Sequence, residues 1–242
     1  MSARTDRYLL GAVPKSGTTA VREILLTQGR NPDALPSTHG PLSRVSPRDL
    51  GDRQRIACIR DPPGWYVSLY FHTLRHSELL RRSPWLHPNE GPPLSFRDFL
   101  RGATDPRRAP DGALAWICTW LPKEVIEAQE IRQVGLWTIT VQYLLGEPSL
   151  WRSGEGAWLA EIFINTARLL PALERLLGEP IQGQFLAPRN TRAQSPEAPL
   201  DDSVLYGPDE LRWAEQADGV LQEAFDLSPF GATTWTLKER AP

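Results

Sequence analysis

Lysine is almost missing from this chain. Of its 27 basic residues only Lys15, Lys123 and Lys238 are lysines, and the rest are arginines. Cysteine is as scarce: Cys58 and Cys118 stand alone, each inside an apolar run, IACIR and AWICTW. Two such residues exclude a disulfide framework and read as buried thiols of a cytoplasmic protein. Charge of one sign is lacking too. A net charge of −2 gives no global field that would draw the chain to nucleic acid or to an anionic membrane. No apolar run approaches the roughly 20 residues of a membrane span. The opening MSARTDRYLL has no long apolar segment of the signal-peptide kind. Internal repeats and low-complexity tracts are absent. What is there is a globular composition, 40% hydrophobic and 23% charged. A length of 242 residues suits one large α/β domain or two small ones. No clear boundary splits it, so one domain over 1–242 is expected.

Proline, at 23 residues, is plentiful and punctuates the chain. Tyr8 to Val13 reads as a buried strand, and Thr18 to Gln28 as a helix with Val21, Ile24 and Leu25 on one face. Residues 29–53 carry four prolines and read mostly as loop. Arg55 to Ile59 is a second buried strand. Asp61 then caps a helix with prolines in its first turn. The stretch 83–94 is an irregular, proline-rich excursion, and Ser95 starts a short helix. Helical patterns follow near 113–121 and 136–145, and 158–164 is a candidate third strand. A helix ending at Gly178 is started or interrupted by Pro171. A polar loop at 187–203 precedes a terminal helix over 208–225. Strand, loop and helix alternate. This predicts an α/β fold with a mostly parallel sheet flanked by helices and a P-loop-like strand–loop–helix at the N-terminus.

One of the three lysines sits in that first loop, GAVPKSGTTAVREIL. A helix starting near Thr18 aims unpaired N–H groups and a partial positive charge back at the loop. Gly17 admits close backbone approach, Ser16, Thr18 and Thr19 offer hydroxyls, and Lys15 adds a compact charge. The alternative is an ordinary turn rich in Ser and Thr. The ATP-binding loop places glycine directly before its lysine, whereas here Pro14 stands there. At the end of the second strand, in IACIRD, the residue is Arg60, where a nucleotide triphosphatase places a magnesium-binding aspartate. A strand-end arginine wants an anion, and Ser68 in the next helix is placed to share it. The alternative is a structural ion pair between Arg60 and Asp61 or another carboxylate.

"PKSGTT" followed by "RDPPGWYVSLY" resembles the two signatures of sulfotransferases that use 3′-phosphoadenosine 5′-phosphosulfate (PAPS). The resemblance implies that Lys15, Ser16, Gly17, Thr18 and Thr19 hold the 5′-phosphosulfate, and that Arg60 and Ser68 hold the 3′-phosphate. PAPS is then the co-substrate, 3′-phosphoadenosine 5′-phosphate (PAP) the product, and a small-molecule hydroxyl the acceptor. No metal is implied. Weaker similarity to smaller bacterial members runs through STHGPL, GLWTITVQYLLG, FINTARLLPALERLLG and LYGPDELRWAEQADGVLQEAF. The chain also departs from the pattern. Ala20 replaces a tryptophan that often packs on adenine. The late Arg-Lys-Gly segment has no clear copy, with Arg189 in APRNTR the nearest candidate for a 3′-phosphate contact. An Arg-, Ala- and Pro-rich chain with few lysines points to a GC-rich bacterial genome, and from there to tailoring of a secondary metabolite.

Sulfuryl transfer needs a base for the acceptor proton, and histidine is the default near neutral pH. His39, in PSTHGPL, resembles the family's catalytic histidine, although Ser37 stands where a lysine is frequent. The alternative for His39 is an exposed loop residue. His72 and His76 are spaced to share a helix face, but no third metal ligand accompanies them. His87 and Trp85 lie in the excursion, as part of an acceptor cover or of an ordinary loop. Trp116, Trp120 and Trp137 read as core before acceptor pocket. Two other functions compete: a P-loop kinase using ATP, and a nucleotide-binding module without catalysis.

Overall fold

The computed structural model describes residues 2–30, 32–34, 40–75, 94–105, 107, 121–181 and 202–227. His39, Arg189, Ser37, His76, Trp85, His87, Trp116, Cys118 and Trp120 lie outside the described residues. So do the excursion at 83–94 except its last position, nearly all of the helical pattern at 113–121, and the polar loop at 187–203 except its last two positions. The described residues group into two compact units. One takes those of 1–60 and 141–181, the other those of 61–140 and 202–227.

The first unit is built on a five-stranded mixed sheet of order β3-β1-β2-β4-β5. The two-residue strands β1 (Ala3–Arg4) and β3 (Asp33–Ala34) pair antiparallel, and β1 also pairs antiparallel with β2 (Tyr8–Gly11). β2, β4 (Gln54–Ile59) and β5 (Ile162–Asn165) run parallel. The register sets Leu10 beside Ile56 and Ile56 beside Ile162, and the last pair is Ile59 with Asn165. Their buried stretches, YLL, IACI and IFI, are continuous apolar runs because both faces of a parallel sheet are covered. On one face Tyr8, Leu10, Ile56, Cys58, Ile162 and Ile164 pack against Val21, Ile24 and Leu25 of α1 (Thr18–Thr27) and Leu173 and Leu177 of a later helix. Each such aliphatic side chain contributes roughly 1.5–3 kcal/mol by leaving water. The Cys58 thiol is free and buried, and burial alone pushes its pKa up to about 12, so it is inert.

Caps fall where local chemistry places them. Asp61 Oδ1 accepts the Gly64 N–H at 2.7 Å in the first turn of the helix Pro62–Arg75. Ser95 Oγ accepts the Asp98 N–H and opens the helix Phe96–Thr104. Pro171 neither starts nor interrupts the helix Leu169–Leu177. It occupies the first turn, where no intrahelical N–H is required, and Gly178, left-handed at φ 72°, closes the helix. The helix Leu136–Leu145 keeps its predicted span. In chain order the helices are α1, α2 (Pro47–Leu50), α3 (62–75), α4 (96–104), α5 (Lys123–Arg132), α6 (136–145), α7 (Pro148–Ser153), α8 (169–177) and α9 (Pro208–Ala224) among the described residues.

Three expectations need correction. The third strand begins at Ile162, not Trp158. The N–H groups of Leu159 and Ala160 both reach the Leu145 carbonyl at the end of α6, so that stretch is withdrawn from the sheet. Residues 29–53 are less of a loop than their prolines suggest: β3, a 3-10 turn at Leu42–Arg44 and α2, capped by Ser46, break it up. Helices α5 and α7 were not expected. In α5 the buried Val125, Ile126, Ala128 and Gln129 alternate with charged residues and leave no clean apolar stripe.

In the second unit α9 packs against α3 and α4. Tyr70, Phe96, Phe99 and Tyr206 form edge-to-face and tilted ring contacts at 5.2–5.4 Å between Tyr70 and Phe96, Tyr70 and Phe99, and Phe96 and Tyr206. A buried carboxylate organises the start of α6. Asp218 Oδ1 accepts the N–H of Thr138 at 3.0 Å and its hydroxyl at 2.7 Å, while Oδ2 accepts the Tyr66 hydroxyl at 2.7 Å. Trp137, a core residue as expected, donates its backbone N–H to the same Tyr66 oxygen. Gly135 is required there, since a Cβ on it would lie 2.2 Å from Asp218 Oδ1.

Candidate functional site

β2 ends at Gly11, and residues 12–17 turn the chain into α1 at the carboxyl end of the parallel strands. The turn is held from inside. Ser16 N–H and the Thr18 hydroxyl both donate to the Val13 carbonyl at 3.3 Å. The Thr18 hydroxyl is therefore committed to the loop's own frame, and its contribution to a ligand comes from its backbone. Lys15 adopts φ 63°, a left-handed conformation that costs a non-glycine residue about 1–2 kcal/mol. Gly17 is left-handed as well, at φ 75° and ψ 8°, and opens α1 with no side-chain cap. The first N–H groups of α1 have no intrahelical acceptor, and no acidic side chain lies in its first turn. Thr19 is exposed, Lys15 and Gly17 are half-buried, and Ser16 is 0% exposed.

Arg60 follows β4 directly and is half-buried at the carboxyl end of the neighbouring strand. The structure thus brings Lys15, Ser16, Gly17, Thr18, Thr19 and Arg60 onto adjacent strand ends of one unit. Ser68 lies within α3 of the other unit and is half-buried. His72, also on α3, is half-buried.

Two residues that sequence reasoning passed over belong to this edge. Thr166, just after β5, places its hydroxyl 3.1 Å from the Ser16 carbonyl and 3.0 Å from the Ile59 carbonyl. Its Cγ2 lies 2.8 Å from where a Cβ on Gly17 would stand, so Gly17 is required for space as well as for its φ. Asn165, 1% exposed, accepts the Ala167 N–H on Oδ1 at 2.7 Å. That bond fixes the amide orientation and leaves Nδ2 buried without a hydrogen-bond partner among the described residues. Ser16 Oγ is likewise buried and without a partner among them. A buried polar group left unmade costs about 1–3 kcal/mol, and two of them at one sheet edge call for an explanation. The sequence signals for Asn165 and Thr166 were their place at the end of an apolar strand and within the stretch FINTARLLPALERLLG.

A groove of about 1060 Å³ lies elsewhere, lined by Arg7, Gln54, Arg55, Glu161 and Arg175. It sits at the amino end of the parallel strands, whereas open α/β sheets bind ligands at the carboxyl end. Burial raises the Glu161 carboxyl, but the hydrogen bonds and charge of Arg55, paired with it at 2.5 Å, together outweigh that and hold it below its usual range. Among the described residues no helix is long and apolar enough to cross a membrane.

No family model, no curated protein and no solved structure matches the chain.

Proposed function

We propose that this protein transfers a sulfuryl group from PAPS to a hydroxyl of a small organic acceptor. The observation that carries the reading is the turn between β2 and α1. A left-handed lysine, a buried serine hydroxyl without a partner among the described residues and a helix N-terminus with no side-chain cap converge there, beside a strand that Arg60 directly follows. Strain in a loop is retained where the surroundings use it, and a P-loop-like anion cradle is such a use. Asp61, the carboxylate nearest the strand end, caps α3, which also suits an anion site better than a magnesium site.

The chemistry follows from the roles. His39 takes the acceptor proton, as the resemblance implies, and the acceptor oxygen bonds to sulfur as the bond from sulfur to the phosphate oxygen breaks. Lys15 and the N–H groups of α1 stabilise the charge that grows on the departing phosphate. Ser16 Oγ, buried and ready to donate, orients the transferred group. Arg60 holds the 3′-phosphate. The sulfuryl group carries less charge than a phosphoryl group, so the cationic cradle suffices without a dedicated magnesium ion.

Calorimetry with PAP and 5′-AMP tests this. PAP binds more tightly in the wild type, and Arg60→Ala removes about 1.5–3 kcal/mol of PAP binding while leaving AMP nearly untouched. Equal affinities in the wild type would sink the two-site reading.

A further inference from the structure

We infer that Thr166 is a positioning residue that sets the spacing between the two anion-binding segments, the loop Lys15–Thr19 and the strand end at Arg60. The inference rests on the proposed function. Its geometry stands in one unit. The Thr166 hydroxyl is within hydrogen-bond reach of a carbonyl from each segment, Ser16 at 3.1 Å and Ile59 at 3.0 Å. These residues are 150 and 107 positions away in the chain, so nothing local ties them together. A hydroxyl has one proton, and with an acceptor on each side at these distances it is shared between the two carbonyls as a three-centre bond. It therefore holds both carbonyls within two hydrogen-bond lengths of each other. The methyl group of the same side chain presses over Gly17, with 2.8 Å to the position of a Cβ there. Thr166 thus clamps the loop from two sides, and the adjoining strand end from one.

A ligand with two anionic groups gains from the second only if the two sites are held at the separation the ligand spans. AMP engages the loop alone, whereas PAP engages both segments. Losing the clamp should cost the advantage of PAP over AMP, and cost AMP little. A residue that merely supports the fold would weaken both alike.

The experiment measures PAP and AMP affinity by calorimetry for wild type, Thr166→Val and Thr166→Ser, with thermal unfolding of each as the folding control. Valine keeps the shape and removes the hydroxyl; serine keeps the hydroxyl. The ratio of PAP to AMP affinity should fall about three- to tenfold in Thr166→Val, the worth of one hydrogen bond, and stay near wild type in Thr166→Ser. Equal PAP and AMP affinity in the wild type overturns the two-site function and this inference with it. A wild-type preference for PAP that survives in Thr166→Val overturns the inference alone. So does an equal loss of both affinities, or a loss in Thr166→Ser as large as in Thr166→Val.

Discussion

Replacing Gly17 by alanine puts a methyl group where the structure has no room and a side chain where the backbone resists one. The added Cβ would stand 2.8 Å from Thr166 Cγ2, well inside the 3.5–4.0 Å of a carbon–carbon contact. Thr166 cannot simply swing away, since its hydroxyl is engaged with the Ser16 and Ile59 carbonyls. Overpacking of this kind costs about 1–3 kcal/mol. The φ of 75° adds about 1–2 kcal/mol for any residue with a Cβ. Together Gly17→Ala should destabilise by about 2–5 kcal/mol, or open the loop locally and lose PAP binding instead. The two causes separate in a double-mutant cycle. Thr166→Ser deletes the clashing methyl and keeps the hydroxyl, whose oxygen is 3.5 Å from the added Cβ, an ordinary contact. Gly17→Ala combined with Thr166→Ser should recover about 1–2 kcal/mol relative to the sum of the single changes, leaving the backbone cost in place. Urea unfolding of the four proteins, with PAP calorimetry alongside, reads both quantities. A coupling energy near zero would refute the steric argument and leave φ alone as the reason for glycine.

Lys15→Ala should lower turnover more than it weakens PAP binding, because the charge matters most as the leaving phosphate develops its own. Lys15→Arg should not fully restore it, and full activity there would show that net charge alone counts. If His39 is the base, its neutral form is the active one, so turnover falls toward acid pH. His39→Asn should remove that limb, lower the rate by roughly 10²–10⁴-fold and leave PAP affinity alone, while a variant keeping rate and limb would move the base elsewhere. Burial pushes Asp218 up from 3.8 to about 6, its hydrogen bonds from Thr138 and Tyr66 pulling the other way. A raised carboxyl pKa stabilises the fold below pH 3.8, and that contribution is lost as pH rises through about 6, a change on the order of 3 kcal/mol. Urea unfolding of wild type and Asp218→Asn at pH 4 and pH 7 should show that slope in the wild type only, and equal slopes would count against it.

The local grammar of the chain was legible in the sequence. Strand, loop and helix around Lys15, the Asp61 and Ser95 caps, the stop at Gly178 and the helices of 136–145 and 208–224 follow from signals a few residues apart. Capping, glycine conformation and apolar periodicity act over one or two turns, so neighbours in sequence suffice to read them. Contacts between residues far apart in the chain were beyond that reach. Thr166 meets Ser16 across 150 positions, and Tyr66 meets Asp218 across 152. The start of β5 is decided by the carbonyl of Leu145 competing for the N–H groups of Leu159 and Ala160. Such choices depend on which strands lie side by side and which buried donors find acceptors. Only the folded chain settles that, because a hydrogen bond is made by atoms within about 3 Å of each other, however far apart they stand in the sequence.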